Sequence, residues 1–289
     1  MTGTGVSPGG RLGQMVEHQR QRREAFRAML RRLRHEPTPA RPAGGLRHAL
    51  EAARDGGSGR LPLIAEVKRR SPSAGAIAPD RDAVDQAARY AAGGAAAISV
   101  LANETYFGGN PEDVRAVSAS PAVGLPVLFK DVVVWPEQIE LARRCGASAV
   151  LLIMAALATG EVEALMACAR EAGLDVVVEV HDEEELERAL SLEGVGIVGV
   201  NNRDLRTFAV DTSRARSLLP RVPRGVLRLA ESGYRTPADI VDAWAAGADA
   251  VLVGEALMRT PDPEAFLAEV RRLKAPWPPG VQSAGGATP

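Results

Sequence analysis

The sequence is poor in the features that mark several classes of protein. Aromatic residues make up only 4% of its 289 residues, which argues against a surface that binds nucleic acid by base stacking. The formal net charge is −1, so no excess of positive charge indicates a polyanionic partner. Cys145 and Cys168 are the two cysteines, and because they lack metal-ligand spacing we expect reduced thiols rather than a disulfide framework.

Long apolar runs are also missing. No segment reaches the ~18 apolar residues of a membrane span, and the opening "MTGTGVSPGG" has no apolar core typical of a secretory signal. We therefore expect a cytoplasmic protein that binds neither membranes nor nucleic acid. Hydrophobic residues nevertheless make up 46% of the chain, which suffices for a sizeable core.

The N-terminal part of the sequence predicts a disordered start followed by one helix over residues 12–33. An apolar stripe runs along this helix, and arginines occupy its other face. An arginine-rich face can bind nucleic acid or a membrane, but a solvated face on a helix that docks by its stripe is the interpretation we favour. We predict an extra N-terminal segment at 1–45, one catalytic domain at 46–275 and a flexible tail at 276–289.

Eight short apolar runs recur through the central part of the chain, with amphipathic helical stretches between them. They are "LPLIAEV", "AAAISVL", "PVLFKDV", "AVLLIMA", "LDVVVEV", "GIVGVNN", "VLRLAES" and "AVLVGEA". Strands of nearly continuous apolar character that alternate with helices indicate a parallel sheet covered on both faces. Eight units, with no G-x-G-x-x-G opening the first, favour a single (β/α)8 TIM barrel over an open doubly wound sheet.

Polar residues follow the predicted strands at their C-terminal ends, where a barrel of this kind carries its chemistry. Glu66 and Lys68 lie two apart on the first strand and therefore share one face, directed into the barrel mouth. The other strand-end residues are Lys130, Glu179, Asn201, Asn202, Arg203, Glu231, Ser232, Gly233, Gly254 and Glu255. Lysines and carboxylates that converge on one mouth perturb each other's pKa, as an acid–base site requires.

Glycines after the seventh and eighth strands indicate a phosphate site. Gly233 and Gly254 allow main-chain N–H groups to approach an anion closely, and the loops after these two strands form the common phosphate site of the fold. A phosphorylated small molecule is therefore the expected ligand.

His181 is a residue that we discount as a catalytic base. We predict that it points away from Glu179 and that "HDEEEL" starts a helix, with Asp182 as its cap and Glu185 reaching back. The remaining histidines match no metal spacing, and no serine or cysteine has a histidine placed by motif to activate it, which leaves a hydrolase triad without support.

Several of these segments together carry a family resemblance. "LIAEVKRRSPSAG" resembles the E-x-K-x-x-S-P-S signature of indole-3-glycerol phosphate synthase, and the match continues in order through "SVLANETYFGG", "PVLFKD", "VVVEVHDEEELERAL", "GVNNRDL", "LAESGY" and "AVLVGEALMR". The resemblance covers residues 46–273. The N-terminal helix is similar to the extra helix with which that family covers the C-terminal face of the barrel.

The resemblance implies a carbon–carbon lyase of tryptophan biosynthesis. It would convert 1-(2-carboxyphenylamino)-1-deoxyribulose 5-phosphate to indole-3-glycerol phosphate, with loss of CO2 and water and without cofactor or metal. By the same resemblance, Lys130 is the general acid of ring closure and Glu179 its base-side partner. Glu66 and Lys68 bind substrate and assist later proton transfers. A monomer or a weak homodimer is expected.

The resemblance also implies the binding residues. Asn201, with Ser232 nearby, would orient the ribulose hydroxyls, and Arg203 would pair with the anthranilate carboxylate, which suits the geometry of a guanidinium. The further substrate-binding residues are Ser71, Phe107, Leu151 and Leu205. The phosphate would be held by main-chain N–H groups of Gly233, Gly254 and Glu255.

This chain departs from the family pattern at two positions, and two rival functions stay open. Val132 replaces the usual aromatic residue and Ala102 a common threonine, which places substrate affinity in question more than reaction type. One rival is a phosphoribosylanthranilate isomerase-like enzyme, which would need a Cys/Asp pair where Glu66 and Asn201 stand. The other is a catalytically silent paralogue that only binds phosphate.

Overall fold

The computed structural model describes residues 9–55 and 60–273. The predicted tail at 276–289 and the first eight residues of the predicted disordered start lie outside these ranges. The division of the chain at residues 45 and 275 stays a prediction. Within the described residues, no helix has both the length and the apolar character needed to cross a membrane.

A closed barrel of eight parallel strands forms the centre of the molecule, so the predicted (β/α)8 TIM barrel is confirmed. The strands are β1 (Leu63–Val67), β2 (Ala97–Leu101), β3 (Val127–Lys130), β4 (Ala149–Ile153), β5 (Asp175–Val180), β6 (Ile197–Asn201), β7 (Leu227–Glu231) and β8 (Ala250–Val253). Each pairs with its sequence neighbours, and β8 closes on β1 through the Leu63–Val251, Ile64–Leu252 and Ala65–Val253 pairs. Every predicted apolar run contains one of them.

Helices surround the barrel and cover both of its ends. They are α1 (Gly10–Gln21), α2 (Arg23–Leu33), α3 (Gly45–Asp55), α4 (Ala83–Gly93), α5 (Glu104–Phe107), α6 (Pro111–Ala119), α7 (Pro136–Arg144), α8 (Thr159–Glu171), α9 (Glu183–Leu190), α10 (Ser213–Leu218), α11 (Pro237–Ala245), α12 (Glu255–Arg259) and α13 (Pro263–Arg272). A two-residue hairpin, Arg70–Ser71 with Gly75–Ala76, follows β1 at the mouth.

The local sequence explains why helix and strand alternate so tightly. Strands such as β4 are buried along their whole length, because one face packs inside the barrel and the other under helices. α4 ends at Gly93, and the next residue, Gly94, has a left-handed φ of 91° that stops the helix and turns the chain toward β2. Caps at the other ends are polar, as at α11, where the Thr236 hydroxyl accepts a hydrogen bond from the Asp239 N–H.

The N-terminal segment forms two helices where the sequence predicted one. The chain breaks at Arg22 (φ −90°, ψ 5°), which ends α1 and precedes α2. The break allows α1 to lie at the barrel mouth, where Met15 lines the central cavity, while α2 runs along α7. The single-helix prediction is therefore wrong, because contacts with two different parts of the barrel outweigh the continuous helical pattern.

The arginine-rich face of this segment stays largely exposed, as predicted, while it forms ion pairs with the outside of the barrel. Arg23 and Arg27 both donate to Glu137 of α7 at 2.9 Å, and Arg20 donates to Glu161 at 2.9 Å. Arg32 pairs with Glu112. The predicted docking by the apolar stripe is also present, since Leu12, Met15, Val16, Gln19, Phe26 and Leu33 are buried.

Candidate active site

A cavity of about 620 Å³ opens at the C-terminal ends of the strands. All fourteen residues predicted for the site line this one cavity. The structure brings them together from seven of the eight strands or the loops that follow them, from α5 and from the start of α12. They are Glu66, Lys68, Ser71, Phe107, Lys130, Leu151, Glu179, Asn201, Arg203, Leu205, Ser232, Gly233, Gly254 and Glu255. Their individual roles stay predictions.

Lys130 lies at the centre of the charged floor of the cavity. Its Nζ is 2.8 Å from Glu231 Oε2 and 3.2 Å from Glu179 Oε2, and both carboxylates are almost fully buried. Burial lowers the pKa of Lys130, but the carboxylates of Glu231, Glu179 and Glu66 outweigh it and raise that pKa above the usual value. The side chain is therefore an ammonium group held between two acids.

Glu179 uses its second oxygen to contact His181. Glu179 Oε1 is 3.3 Å from His181 Nε2, and His181 Nδ1 is 3.0 Å from Glu185 Oε2. The prediction that His181 points away from Glu179 is wrong, because residues two apart at a strand end share a face. The predicted helix start is confirmed, since Asp182 Oδ1 accepts from the Glu185 N–H and Glu185 Oε2 accepts from the His181 N–H.

These contacts set the protonation of the pair. Burial raises the pKa of Glu179, but Lys130 and His181 outweigh it and hold that pKa at about 2. Burial lowers the pKa of His181, whereas contacts with Glu179 and Glu185 raise it to about 10. Glu179 is therefore a carboxylate and His181 an imidazolium ion at neutral pH.

Glu231 differs from Glu179 although both contact Lys130. Burial raises the pKa of Glu231 to about 7, with Lys130 opposing that rise and Glu179 and Glu66 adding to it. In the described residues neither Glu231 Oε1 nor Glu179 Oε1 accepts a hydrogen bond of good geometry, but Glu179 Oε1 lies 3.3 Å from His181 Nε2. Sequence reasoning placed Glu231 at the end of β7 but left it out of the site. Its position one residue before Ser232, at the end of an apolar strand, was the signal.

Glu66 and Lys68 form a second ion pair at the mouth, where β1 ends. Lys68 Nζ is 2.8 Å from Glu66 Oε1, and the Ser99 hydroxyl donates to Glu66 Oε2 at 3.3 Å. Gly254 matters to this pair, because a Cβ atom there would collide with Glu66 Oε1 and lie 3.0 Å from Lys68 Nζ. The close approach of the Glu66 carboxylate therefore requires glycine at position 254, and the prediction of a phosphate site did not include this requirement.

Asn201 and Arg203 follow β6 and are joined by a hydrogen bond. The Arg203 N–H donates to Asn201 Oδ1 at 2.9 Å, and Arg203 Nη1 donates to Ser73 Oγ at 3.0 Å and to the Phe208 carbonyl at 3.2 Å. Burial lowers the pKa of the Arg203 guanidinium, while Glu255 and Glu66 oppose that effect. The guanidinium is fixed in position and lines the cavity.

The turn after β7 has a strained main chain. Ser232 has a φ of 66°, which is rare for a residue with a side chain, and Gly233 follows with a φ of 89°. Asn202 holds this turn, because its Nδ2 donates to the Ser232 carbonyl and to the Tyr234 hydroxyl, each at 3.0 Å. Asn202 is therefore a supporting residue that sequence reasoning noted without assigning it a role.

Comparison with known proteins identifies the family. The family model described as "Indole-3-glycerol phosphate synthase" matches residues 12–270. The protein of that name from Opitutus terrae is 49% identical over 218 residues, 74% of this chain and 81% of the relative. The one from Kineococcus radiotolerans is 45% identical over 249 residues, 86% of this chain and 88% of the relative. The chain belongs to the indole-3-glycerol phosphate synthase family.

Solved structures of other function share only the fold. A thiamine phosphate pyrophosphorylase from Pyrococcus furiosus superposes with a TM-score of 0.53 at 16% identity, over 74% of this chain and 95% of its own. At that identity the likeness supports the barrel architecture and nothing finer.

Asp131 is a residue of this indole-3-glycerol phosphate synthase family member that sequence reasoning missed. It follows Lys130 directly and accepts hydrogen bonds from Gln19 Nε2 (2.5 Å), Asn103 Nδ2 (3.0 Å), Gln138 Nε2 (3.1 Å) and its neighbour's main-chain N–H (2.8 Å). Burial raises its pKa to about 6, while these donors oppose the rise. Asp131 thus ties α1 and α7 to the strand end that carries Lys130.

Proposed function

We propose that this cavity closes the indole ring of 1-(2-carboxyphenylamino)-1-deoxyribulose 5-phosphate and releases indole-3-glycerol phosphate, CO2 and water. The observation that carries the proposal is Lys130, an ammonium group buried between Glu179 and Glu231 on the floor of a cavity of about 620 Å³. A cytoplasmic location, a monomer or weak homodimer, and a reaction without cofactor or metal stay predictions.

The proposed reaction balances with one proton taken up for each carboxylate substrate. The ring carbon that bears the carboxylate attacks the ketone carbon, and the ketone oxygen takes a proton. The bond to the carboxylate then breaks, CO2 leaves, and the electron pair returns to the ring. Finally the new hydroxyl leaves as water after a second protonation, and a base removes one proton from the carbon next to nitrogen.

Lys130 is the donor in the first step. Its ammonium group is held in place by two carboxylates in a water-poor floor, so it is oriented before the oxygen develops charge. Glu179 is the base-side partner, because its low pKa keeps it ionised. Lys68, paired with Glu66 at the end of β1, assists the later transfers.

The remaining residues bind the two ends of the substrate. Arg203 pairs with the anthranilate carboxylate through its fixed guanidinium. Asn201 and Ser232 orient the ribulose hydroxyls. The aromatic ring contacts the wall to which Phe107, Leu151 and Leu205 belong, and Ser71 lies beside it. The phosphate is bound by main-chain N–H groups of Gly233, Gly254 and Glu255, where the carboxylate of the last residue takes no part.

The test is direct. Purified protein is mixed with the carboxyphenylamino-deoxyribulose phosphate, and indole fluorescence is followed against Lys130→Ala as the control. We expect a rise that the variant lacks. Binding of the product without turnover by the wild type would instead identify a silent paralogue. Conversion of phosphoribosylanthranilate would identify an isomerase-like enzyme.

A further inference from the structure

The two carboxylates on Lys130 have unequal surroundings. Glu231 has Lys130 as its one cationic contact within the described residues, whereas Glu179 has Lys130 on Oε2 and His181 on Oε1. Since a buried carboxylate with two cations ionises more readily than one with a shared cation, the imidazole is the charged group that distinguishes them, and the Asn201 amide adds a neutral donor to Glu179. Without it, two acids would compete for a single ammonium group on nearly equal terms.

Glu185 holds the His181 ring in position through two hydrogen bonds. The Glu185 Oε2 accepts both from the His181 main-chain N–H (2.8 Å) and from its ring Nδ1 (3.0 Å). The ring is buried with 9% of its surface exposed, and Asp182 caps α9 just beyond it. Donation from Nδ1 to Glu185 directs Nε2 at Glu179 and favours the doubly protonated ring.

Other charged groups face this arrangement from neighbouring elements. Around Glu179 and its partners they are Lys130 of β3, Glu231 of β7, Glu66 of β1 and the amide of Asn201 on β6. Near Glu185 they are Asp182 of the α9 cap and Arg206 of the loop after β6. Arg206 acts on Glu185 from a largely exposed position. The imidazolium is thus the sole cation in the described residues that contacts Glu179 Oε1.

We propose that His181 is a positioning residue that keeps Glu179 ionised and aimed at Lys130, and so leaves the proton of the carboxylate pair to Glu231. The proposal rests on the proposed function and deepens it, because it explains how the base-side partner Glu179 stays unprotonated while Glu231 holds any proton that the pair carries before turnover. His181 touches Glu179 and does not line the cavity, so it acts through Glu179 and not on the substrate.

The pH profile of kcat separates positioning from a general structural role. His181→Gln keeps an N–H donor of similar reach but removes the positive charge. Glu179 and Glu231 share Lys130 and therefore titrate as one coupled pair, so loss of the imidazolium makes proton uptake by the pair easier. The acidic limb of the profile should move to higher pH by about 1–2 units. A purely structural loss would lower kcat by the same factor at every pH, and that result would overturn the proposal.

Two variants in the first turn of α9 complete the comparison. Glu185→Gln weakens the support of the imidazolium and should move the limb in the same direction by a smaller amount. Glu184→Gln removes an equal charge from an exposed side chain of the same turn and should leave the profile unchanged. An equal shift in both variants would show a general charge effect and would overturn the assignment.

The wild-type protein offers a measurement that needs neither turnover nor a His181 variant. Long-range proton–nitrogen NMR spectra report the protonation of the four histidines. We expect one ring to remain imidazolium at pH 8, and its pKa to fall in Glu185→Gln. If all four rings lose their proton below about pH 7.5, the proposal is overturned. Absence of wild-type turnover would overturn the proposed function alone, since these spectra would still report the ion pair.

Discussion

Asp249 at the N-terminal end of the barrel and Glu231 at the C-terminal mouth are both buried acids, but their partners differ. Asp249 accepts from Arg228 through its main-chain N–H, Nε and Nη2 at 2.8–3.0 Å, and from Arg54 at 3.0 Å. Glu231 shares Lys130 with Glu179 and leaves Oε1 without a donor in the described part of the chain.

This difference separates an acid that stabilises the barrel from an acid that belongs to the candidate active site. A carboxylate whose hydrogen bonds are all made contributes to stability. A carboxylate that competes for a shared cation has a pKa nearer to neutral pH and can gain or lose a proton there, as the pKa of about 7 for Glu231 indicates. Substitutions at the two ends should therefore separate activity from stability.

The largest effect is expected for Lys130→Ala. Removal of the general acid should lower kcat by about 10³-fold or more, within the range typical of acid–base groups, while affinity for the phosphate end changes little. Single-turnover fluorescence and titration with the product measure the two quantities. A variant with near wild-type kcat would contradict the role of Lys130.

Asp131→Asn should change how stability depends on pH. The native pKa of about 6 lies above the ordinary 3.8, so the folded protein keeps this proton to higher pH than the unfolded chain does. The contribution of Asp131 to the free energy of unfolding therefore falls by up to about 3 kcal/mol between about pH 4 and 6 and stays level above.

An asparagine side chain at this position cannot ionise, so the variant should lack that fall. Urea unfolding at several pH values measures it, with Glu163→Gln on the exposed face of α8 as the matched control that keeps the wild-type slope. Equal slopes in wild type and Asp131→Asn would show that the four donors around Asp131 outweigh its burial.

Asp249→Asn tests the other end of the barrel. The change weakens several charge-assisted hydrogen bonds and should cost about 2 kcal/mol of unfolding free energy. The kcat of the folded variant should equal that of the wild type, because this end lies opposite the cavity. A loss of kcat in fully folded protein would contradict the separation of the two ends.

Val132→Phe is expected to have the smallest effect. Val132 lines the cavity among apolar residues, and an aromatic ring there could stack on that of the substrate for about 0.5–1.5 kcal/mol. KM should fall by about 2- to 10-fold with kcat little changed. A higher KM would mean that the wall is already filled and the larger ring overpacks it.

The sequence predicted the barrel and the composition of its mouth because both follow from local rules. Apolar runs at regular spacing require a buried parallel sheet, and the ends of its strands converge by geometry alone. Lys130, Glu179 and Glu66 could be placed this way without knowledge of any contact.

Three features of the structure did not follow from these local rules. Two depend on contacts between segments that are distant in the sequence, and the third was assigned to the wrong face of a strand. The break at Arg22 has no glycine or proline to mark it, and it arises because α1 and α2 pack on different surfaces. The importance of Asp131 comes from donors as far away in sequence as Gln19. His181 was misjudged because its face was misassigned, although the two-residue spacing contained the correct answer.

Gly199 of β6 leaves space for the Glu231 carboxylate, although Gly199 itself does not line the cavity. A Cβ atom at this position would collide with Glu231 Oε1, just as one at Gly254 would collide with Glu66. Alanine is ordinarily the mildest replacement in a mutational scan, yet at these two positions a single methyl group would displace a carboxylate of the cavity floor or mouth. Gly254 lines the cavity, but Gly199 does not, so a substrate-contact map would leave Gly199 blank. A library that spares only ligand-touching residues would therefore lose activity through Gly199.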